Sequence, residues 1–290
     1  MRLAPETKLL ILDDGKSIGG VWNDEHIYPN LFAQVGHGLF EYSSFPMEKK
    51  GLTPDRYISG NTINEYLTAF AEKNGIVSRI RLQTKVKSIK KVGNKATMWR
   101  LMVEGEQEYV LETTKVIVAS GASSGPYVPD FPRSRFTKPI IHSSQIGRSL
   151  SEIGSPAVQR VVILGAAKSA YDTVFLMLKQ GKKVDWVIRE DGSGPLAIMP
   201  PRLFKVFNTI DVMSTRLFAC FSPAILQTKG FWYHFLQRSW VGRKFTTLVW
   251  RIVTILAERH ADYSRNENVG KLRPVPKNFG YIPCKADSWS

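Results

Sequence analysis

The sequence predicts an α/β fold with an antiparallel β-meander inserted into it, on three observations. Val161–Arg189 reads VVILGAAKSAYDTVFLMLKQGKKVDWVIR, a β-branched run, a small-residue turn, a helix-period segment and a second strand. Lys8–Leu12 (KLLIL) and Lys115–Ala119 (KVIVA) are short apolar runs of the kind buried on both faces of a parallel sheet. From Ile80 to Leu111 three strand-like runs alternate with turns such as Val92-Gly93-Asn94, which predicts the meander.

In chain order, Asp13-Asp14-Gly15 follows the first apolar run. An acidic residue there suits a nucleotide ribose when the strand is the second of a dinucleotide-binding unit; it equally suits a strand-end turn. A preceding strand, glycine loop and helix need about 30 residues, and seven residues precede Lys8, so the first lobe is expected to be incomplete. Gly19-Gly20-Val21-Trp22 comes next, then an aromatic loop through Phe40, Tyr42 and Phe45. Thr62 and Glu65 are spaced as a capping box, and Ile63, Tyr66, Leu67 and Phe70 form one apolar stripe that Asn74-Gly75 ends. After the meander, KVIVA runs into Ser120-Gly121-Ala122, and Pro126, Pro129, Pro132 and Pro139 mark a crossing between lobes.

The turn Gly165-Ala166-Ala167-Lys168-Ser169-Ala170 carries the chemistry. Gly165 permits a tight turn, the small residues let a pyrophosphate approach the backbone, and the helix N-terminus offers N–H groups to that anion. Ala167 and Ala170 stand where a GxGxxG pattern has its later glycines. The second strand delivers Arg189 rather than an acid, which suits a ribose 2′-phosphate and selects NADPH over NADH. Lys168 is placed to meet a phosphate as a point charge, or to sit exposed in the first turn.

Bulk properties narrow the class. The net charge is +15, with Arg79, Arg81, Lys85, Lys87, Lys90, Lys91 and Lys95 concentrated on the meander. No aromatic interleaving or nucleic-acid module accompanies that charge, so a basic solvated face is the reading, without a nucleic-acid partner. Two cysteines, Cys220 and Cys284, exclude a disulfide scaffold and fit a reducing compartment. There is no secretory leader and no apolar run of about 18 residues, so a cytoplasmic protein is expected. The stretch Phe204–Glu258 reads helical and aromatic-rich; core packing, a substrate lid and peripheral contact with a membrane surface all suit it. The tail Lys271–Ser290 reads as loop.

The order and spacing of Gly19-Gly20-Val21-Trp22, Val118-Ala119-Ser120-Gly121 and the Gly165 unit resembles the flavin-containing monooxygenase-like family, in particular the FAD-dependent monooxygenases of fungal secondary metabolism. The resemblance covers about Leu9 to Pro195. It implies a two-dinucleotide-binding, Rossmann-like flavoprotein with a β-meander insertion and an incomplete first lobe. It divides the chain into a partial FAD lobe (1–135), an NADP lobe (136–200) and a helical segment with tail (201–290). Asp13 would then hold the FAD ribose, Gly19, Gly20 and Trp22 would lie against FAD, the backbone at Val86 would touch adenine, and Ala119, Ser120 and Gly121 would form the turn between lobes. Phe136 and His142 keep the spacing of the family's signature, with Lys138 and Ile146 departing from it. His142 is the candidate catalytic residue, or a loop histidine capped by Ser143 and Ser144. No metal site is read.

The implied reaction is oxygenation of a small organic substrate by reduced flavin through a C4a-(hydro)peroxide, with NADPH as reductant. The alternatives are a non-catalytic NADP-binding remnant and an FAD/NADP oxidoreductase that does not oxygenate.

Overall fold

The computed structural model describes residues 7–93, 98–121, 125–132, 135–189, 195–222 and 229–274, with the backbone of 281–283. Asn94, Lys95, Ala122 and Cys284, named above, lie outside them. The chain forms two compact units, one of residues 1–29 and 59–153, the other of 30–58 and 154–290.

The first half runs β1 (Ile11–Leu12), β2 (Phe32–Gly36), β3 (Tyr57–Ser59), α1 (Gly60–Lys73), β4 (Ile80–Arg81), β5 (Lys85–Val92), β6 (Met98–Glu104) and β7 (Glu108–Thr113). In the first unit β1 pairs in parallel with β4, Ile11 opposite Ile80, so β1, α1 and β4 make a strand–helix–strand crossover. Ile63 and Tyr66 of α1 are buried as the apolar spacing predicts. The cap, read from the sequence at Thr62 and Glu65, falls instead at the residue before the helix. Ser59 is the N-cap, its Oγ accepting from the Thr62 amide at 3.1 Å, because the extended end of β3 places a hydroxyl there before Thr62 is reached.

The meander is present as expected: β5–β6–β7 is an antiparallel three-stranded sheet. A bulge between Val86 and Ser88 shifts the register of β5 against β6. The sheet buries Leu101 and Val103 on one face and leaves its cationic side chains in solvent. Lys87 meets Glu104 at 2.5 Å and Arg100 meets Glu112 at 2.7 Å, exposed pairs that contribute little stability.

The KVIVA run corrects the sequence reading. Residues 115–119 form no strand, and Ile117 and Val118 are exposed. A buried parallel strand needs a neighbour for its N–H and C=O groups, and among the described residues no strand lies alongside.

The second half runs α2 (Leu150–Gly154), β8 (Arg160–Leu164), α3 (Lys168–Lys179), β9 (Lys183–Val187), β10 (Ala197–Met199), β11 (Arg202–Leu203), β12 (Phe207–Asn208), α4 (Thr209–Met213), α5 (Arg216–Ala219), α6 (Phe231–Tyr233), α7 (Trp240–Ala261), α8 (Glu267–Gly270) and β13 (Tyr281–Pro283). In the second unit β8 and β9 pair in parallel, Ile163 opposite Trp186, with α3 as the crossover. Tyr171, Val174, Leu176 and Met177 of α3 are buried; Leu178, expected inside, is exposed. Only Ile163 of β8 is buried, whereas Val162 and Leu164 are 55% and 56% exposed. The expectation of burial on both faces fails for the same reason as at KVIVA, since β9 is the sole strand paired with β8 among the described residues.

Two more corrections concern the C-terminal third. The stretch after Arg202 opens not as helix but as the hairpin β11–β12, turned by Phe204 and Lys205 at φ 51° and 61°. Tyr281–Pro283, expected to be loop, pairs in parallel with β10, Ile198 opposite Ile282, a partnership too distant in sequence for local pattern to reveal. Part of the aromatic content of this third packs as core: Ala197, Met199 and Leu203 meet Val253 and Ala257 of α7, with Phe218 and Trp250 against them, whereas Phe231, Trp232, Trp240 and Phe245 are exposed.

Candidate functional site

Local chemistry builds the Gly165 turn tightly. Gly165 adopts φ +113°, a conformation L side chains rarely adopt, and nothing described lies within 4 Å of where a Cβ would stand. Its amide donates to the Val187 carbonyl at 3.0 Å and its carbonyl accepts from Trp186 Nε1 at 2.6 Å. The indole is held in turn edge-on to Tyr171, with centroids 4.8 Å apart. The turn is thus braced by both strand and helix, and Trp186 is a brace that motif reading alone misses.

Helix α3 starts at Lys168 with Ala167 as N-cap, which supplies no side-chain oxygen to the first-turn amides. An uncapped twelve-residue helix behind an open glycine turn is the local geometry that receives an anion. Ala166, Ala167 and Ser169 line this start, Ala166 also accepting from the Leu196 amide at 3.3 Å. Lys168 points elsewhere. Its Nζ donates to Asp172 Oδ2 and, at 3.2 Å, to the Phe32 carbonyl, so its ammonium fastens α3 to the start of β2. Arg189 lies exposed just past β9, two residues after the carbonyl that holds Gly165. The Gly165–Ser169 segment and Arg189 therefore share the carboxyl end of the β8–β9 pair, where open α/β sheets take ligands. On the outer face Arg160 forks onto Asp185, its Nη2 at 2.9 Å from Oδ1. That hydrogen bond holds the Asp185 carboxyl below its usual range.

In the first unit, Asp13 stands at the end of β1. Its Oδ1 accepts from the Gly15 amide at 2.8 Å, while its carbonyl accepts from Thr84 at 2.8 Å. That bond draws the start of β5, and with it Val86, alongside Asp13. Among the described residues Oδ2 takes no hydrogen bond. Gly19 sits at φ +130°, and a Cβ there would come within 2.9 Å of the Trp22 carbonyl. Gly20–Trp22 is a single 3₁₀ turn.

One side chain that the sequence reading passes over fixes this turn: Asn64 Nδ2 donates to the carbonyls of Ile18 and Trp22, each at 2.9 Å. The signal available was a polar residue four positions after Gly60 on the buried side of α1. Asn64→Ala leaves two carbonyls without that donor and is expected to cost about 1–3 kcal/mol. A shift in the urea midpoint at unchanged m-value would register it.

Ala119, Ser120 and Gly121 are exposed, with Gly121 at φ +79°. His142 takes the capping arrangement. Its Nδ1 accepts from the Ser144 amide at 3.2 Å and lies 2.9 Å from Ser144 Oγ, while its amide donates to Gln145 Oε1 at 3.3 Å.

The fold and these two turns define a two-unit α/β protein of the dinucleotide-binding class. The chain belongs to the pyridine nucleotide-disulphide oxidoreductase family, whose profile matches residues 8–201. It is 46% identical over 280 residues to the FAD-dependent monooxygenase DEP4 of Fusarium langsethiae, covering 97% of this chain and 48% of that protein. To the enzyme of the same name from Alternaria brassicicola it is 42% identical with the same coverage. The chain thus spans about half the length of the curated relatives it matches.

Among solved structures it superposes on the OTEMO complex with FAD and NADP at TM-score 0.64 and 15% identity, covering 99% of this chain and 60% of the other. The polycyclic ketone monooxygenase of Thermothelomyces thermophila matches at TM-score 0.62 and 17% identity, over 97% and 52% of the two chains. At these identities the superpositions establish the fold.

Proposed function

We propose that this chain carries the NADPH-binding lobe and part of the FAD-binding lobe of a flavin monooxygenase acting on a small organic molecule in fungal-type secondary metabolism. The observation that supports it best is the Gly165 turn: a positive-φ glycine with open space above it, an uncapped helix start behind it and Arg189 at the same edge. These residues fit a dinucleotide pyrophosphate and a ribose 2′-phosphate.

On the flavin side the polar groups fit the ribose and adenine half of FAD, with Asp13 Oδ2 as acceptor for the ribose hydroxyls and the backbone beside Val86 against the adenine. Gly19, Gly20 and Trp22, pinned by Asn64, and the Ala119–Gly121 segment are the remaining flavin contacts of this reading. His142 acts in it as the cap of its loop, which orients the segment behind it. The lobe limits 1–135, 136–200 and 201–290 and a cytoplasmic setting belong to the same proposal.

When bound, NADPH supplies the hydride and FAD the oxygen-activating centre. The chain's own part is to seat the pyrophosphate on the α3 start, to discriminate the 2′-phosphate and to hold the adenine ribose.

The test is a calorimetric titration of the purified chain with NADPH and with NADH, alongside a flavin absorbance spectrum after incubation with FAD. Arg189→Ala is expected to weaken NADPH by about 10–100-fold, equivalent to about 1.4–3 kcal/mol, and to leave NADH unchanged. Equal loss for both cofactors removes the 2′-phosphate assignment. No binding of either nucleotide overturns the function.

A further inference from the structure

Helix α7 is apolar on two faces. Gly242, Val253 and Ala257 turn into the core. The opposite face carries Val241, Phe245, Leu248, Ile252 and Ile255, spaced four, three, four and three apart. At 3.6 residues per turn this places all five on one stripe roughly 80° wide, and each is between 41% and 57% exposed. The segment leading into the helix adds Phe231, Trp232 and Trp240, exposed by 73%, 57% and 68%. Exposed large apolar side chains in this number mark a binding face.

Charge decides what the face fits. Between Phe231 and Ala261 stand five basic residues, Arg238, Arg243, Lys244, Arg251 and Arg259, against the single acid Glu258. Lys244 and Arg251, seven apart, run along one edge of the stripe. A second copy of the chain would bring those cations, and a net +15 on each molecule, against their like. Nucleic acid would satisfy the cations and leave the apolar stripe in water. An anionic lipid surface satisfies both, with tryptophan and phenylalanine at the headgroup level. No described helix is long and apolar enough to cross a membrane, so α7 would lie along the surface, held from behind by β10.

We propose that the exposed face of α7, with its aromatic lead-in, docks the protein on an anionic membrane surface. This goes beyond the nucleotide reading and does not depend on it.

The experiment is co-sedimentation of the full chain with phosphatidylcholine vesicles, with and without phosphatidylserine, at low and high salt and without nucleotide. Binding is expected on the anionic vesicles, with little on the neutral ones and loss at high salt. Lys244→Gln and Arg251→Gln should each lower partitioning about fivefold, and the pair Phe245→Ser with Leu248→Ser more than tenfold. The charge variants carry the test should the double serine variant lose its helical circular dichroism. Absent binding, or equal binding to both vesicle types, overturns the proposal. So does light scattering that shows a dimer which the charge or serine variants dissolve, for the face would then be a self-interface.

Discussion

Replacing Gly242 by alanine should lower stability by about 3 kcal/mol, at the upper end of the range for an overpacked core site. A Cβ at Gly242 would fall 1.8 Å from the Phe235 carbonyl oxygen and 2.7 Å from Leu236 Cα, both backbone. Neither can swing aside as a side chain could. The π-helical segment 234–238 and α7 are joined by the single extended residue Ser239, whose Oγ caps α7 through the Gly242 amide at 2.9 Å. The backbone can give way only by breaking that cap or by drawing α7 off β10. The thermal midpoint should fall by roughly 6–12 °C at this size. Gly125→Ala, with nothing described within 4 Å of its Cβ position, is the neutral control. An unchanged midpoint for Gly242→Ala would mean that the close approach does not exist in solution.

Gly165→Val should reduce NADPH affinity by at least about 100-fold, or roughly 3 kcal/mol, in a protein that still folds. Two effects combine. A β-branched residue at φ +113° is strained by about 1–3 kcal/mol and pulls the turn toward another conformation. Its isopropyl group also occupies the open space over the α3 start through which a pyrophosphate would approach. Gly165→Ala should lose less, since it shares the strain but fills less space. Because no described atom stands near that Cβ position, collision with the rest of the fold does not contribute. Fluorescence titration with NADPH, checked against unchanged far-ultraviolet circular dichroism, measures the difference. Retained affinity in the valine variant would make the turn purely structural.

Local chemistry was legible in the sequence; partnership was not. Strands β5 to β7 could be read because alternation and short turns encode an antiparallel meander within about thirty residues. The crossover β8–α3–β9 could be read for a similar reason, its turn, helix period and stop glycine all being local. KVIVA and the apolar flanks of Ile163 misled because an apolar run states that a strand would be stable if flanked, not that flanking strands exist. The pairing of Tyr281–Pro283 with β10 was hidden by distance along the chain.

At the site, residue types marked the turn. They could not show that Lys168 is spent on Asp172 and the Phe32 carbonyl, that Trp186 braces Gly165, or that Asn64 holds the Gly19–Trp22 turn. Each of those is a side chain meeting a backbone carbonyl outside its own turn, and carbonyls leave no trace in sequence. At His142 the sequence offered a histidine capped by serine hydroxyls, whereas the histidine is itself the cap, its ring accepting from the Ser144 amide.

The division of the chain has a consequence for how the protein is made. Residues 30–58 belong to the second unit although the ribosome delivers them before the larger segment of the first, residues 59–153. Arg56, whose guanidinium grips Asp211 at 2.5 and 2.6 Å, must wait for a partner 155 residues further on. At synthesis speeds of about 5–20 residues per second that delay is roughly 8–30 s. During it the aromatic loop Phe40–Phe45 is available to chaperones, while the strand–helix–strand crossover of the first unit and its meander can already close. Slow translation upstream of Asp211 would lengthen that exposure without changing the finished fold.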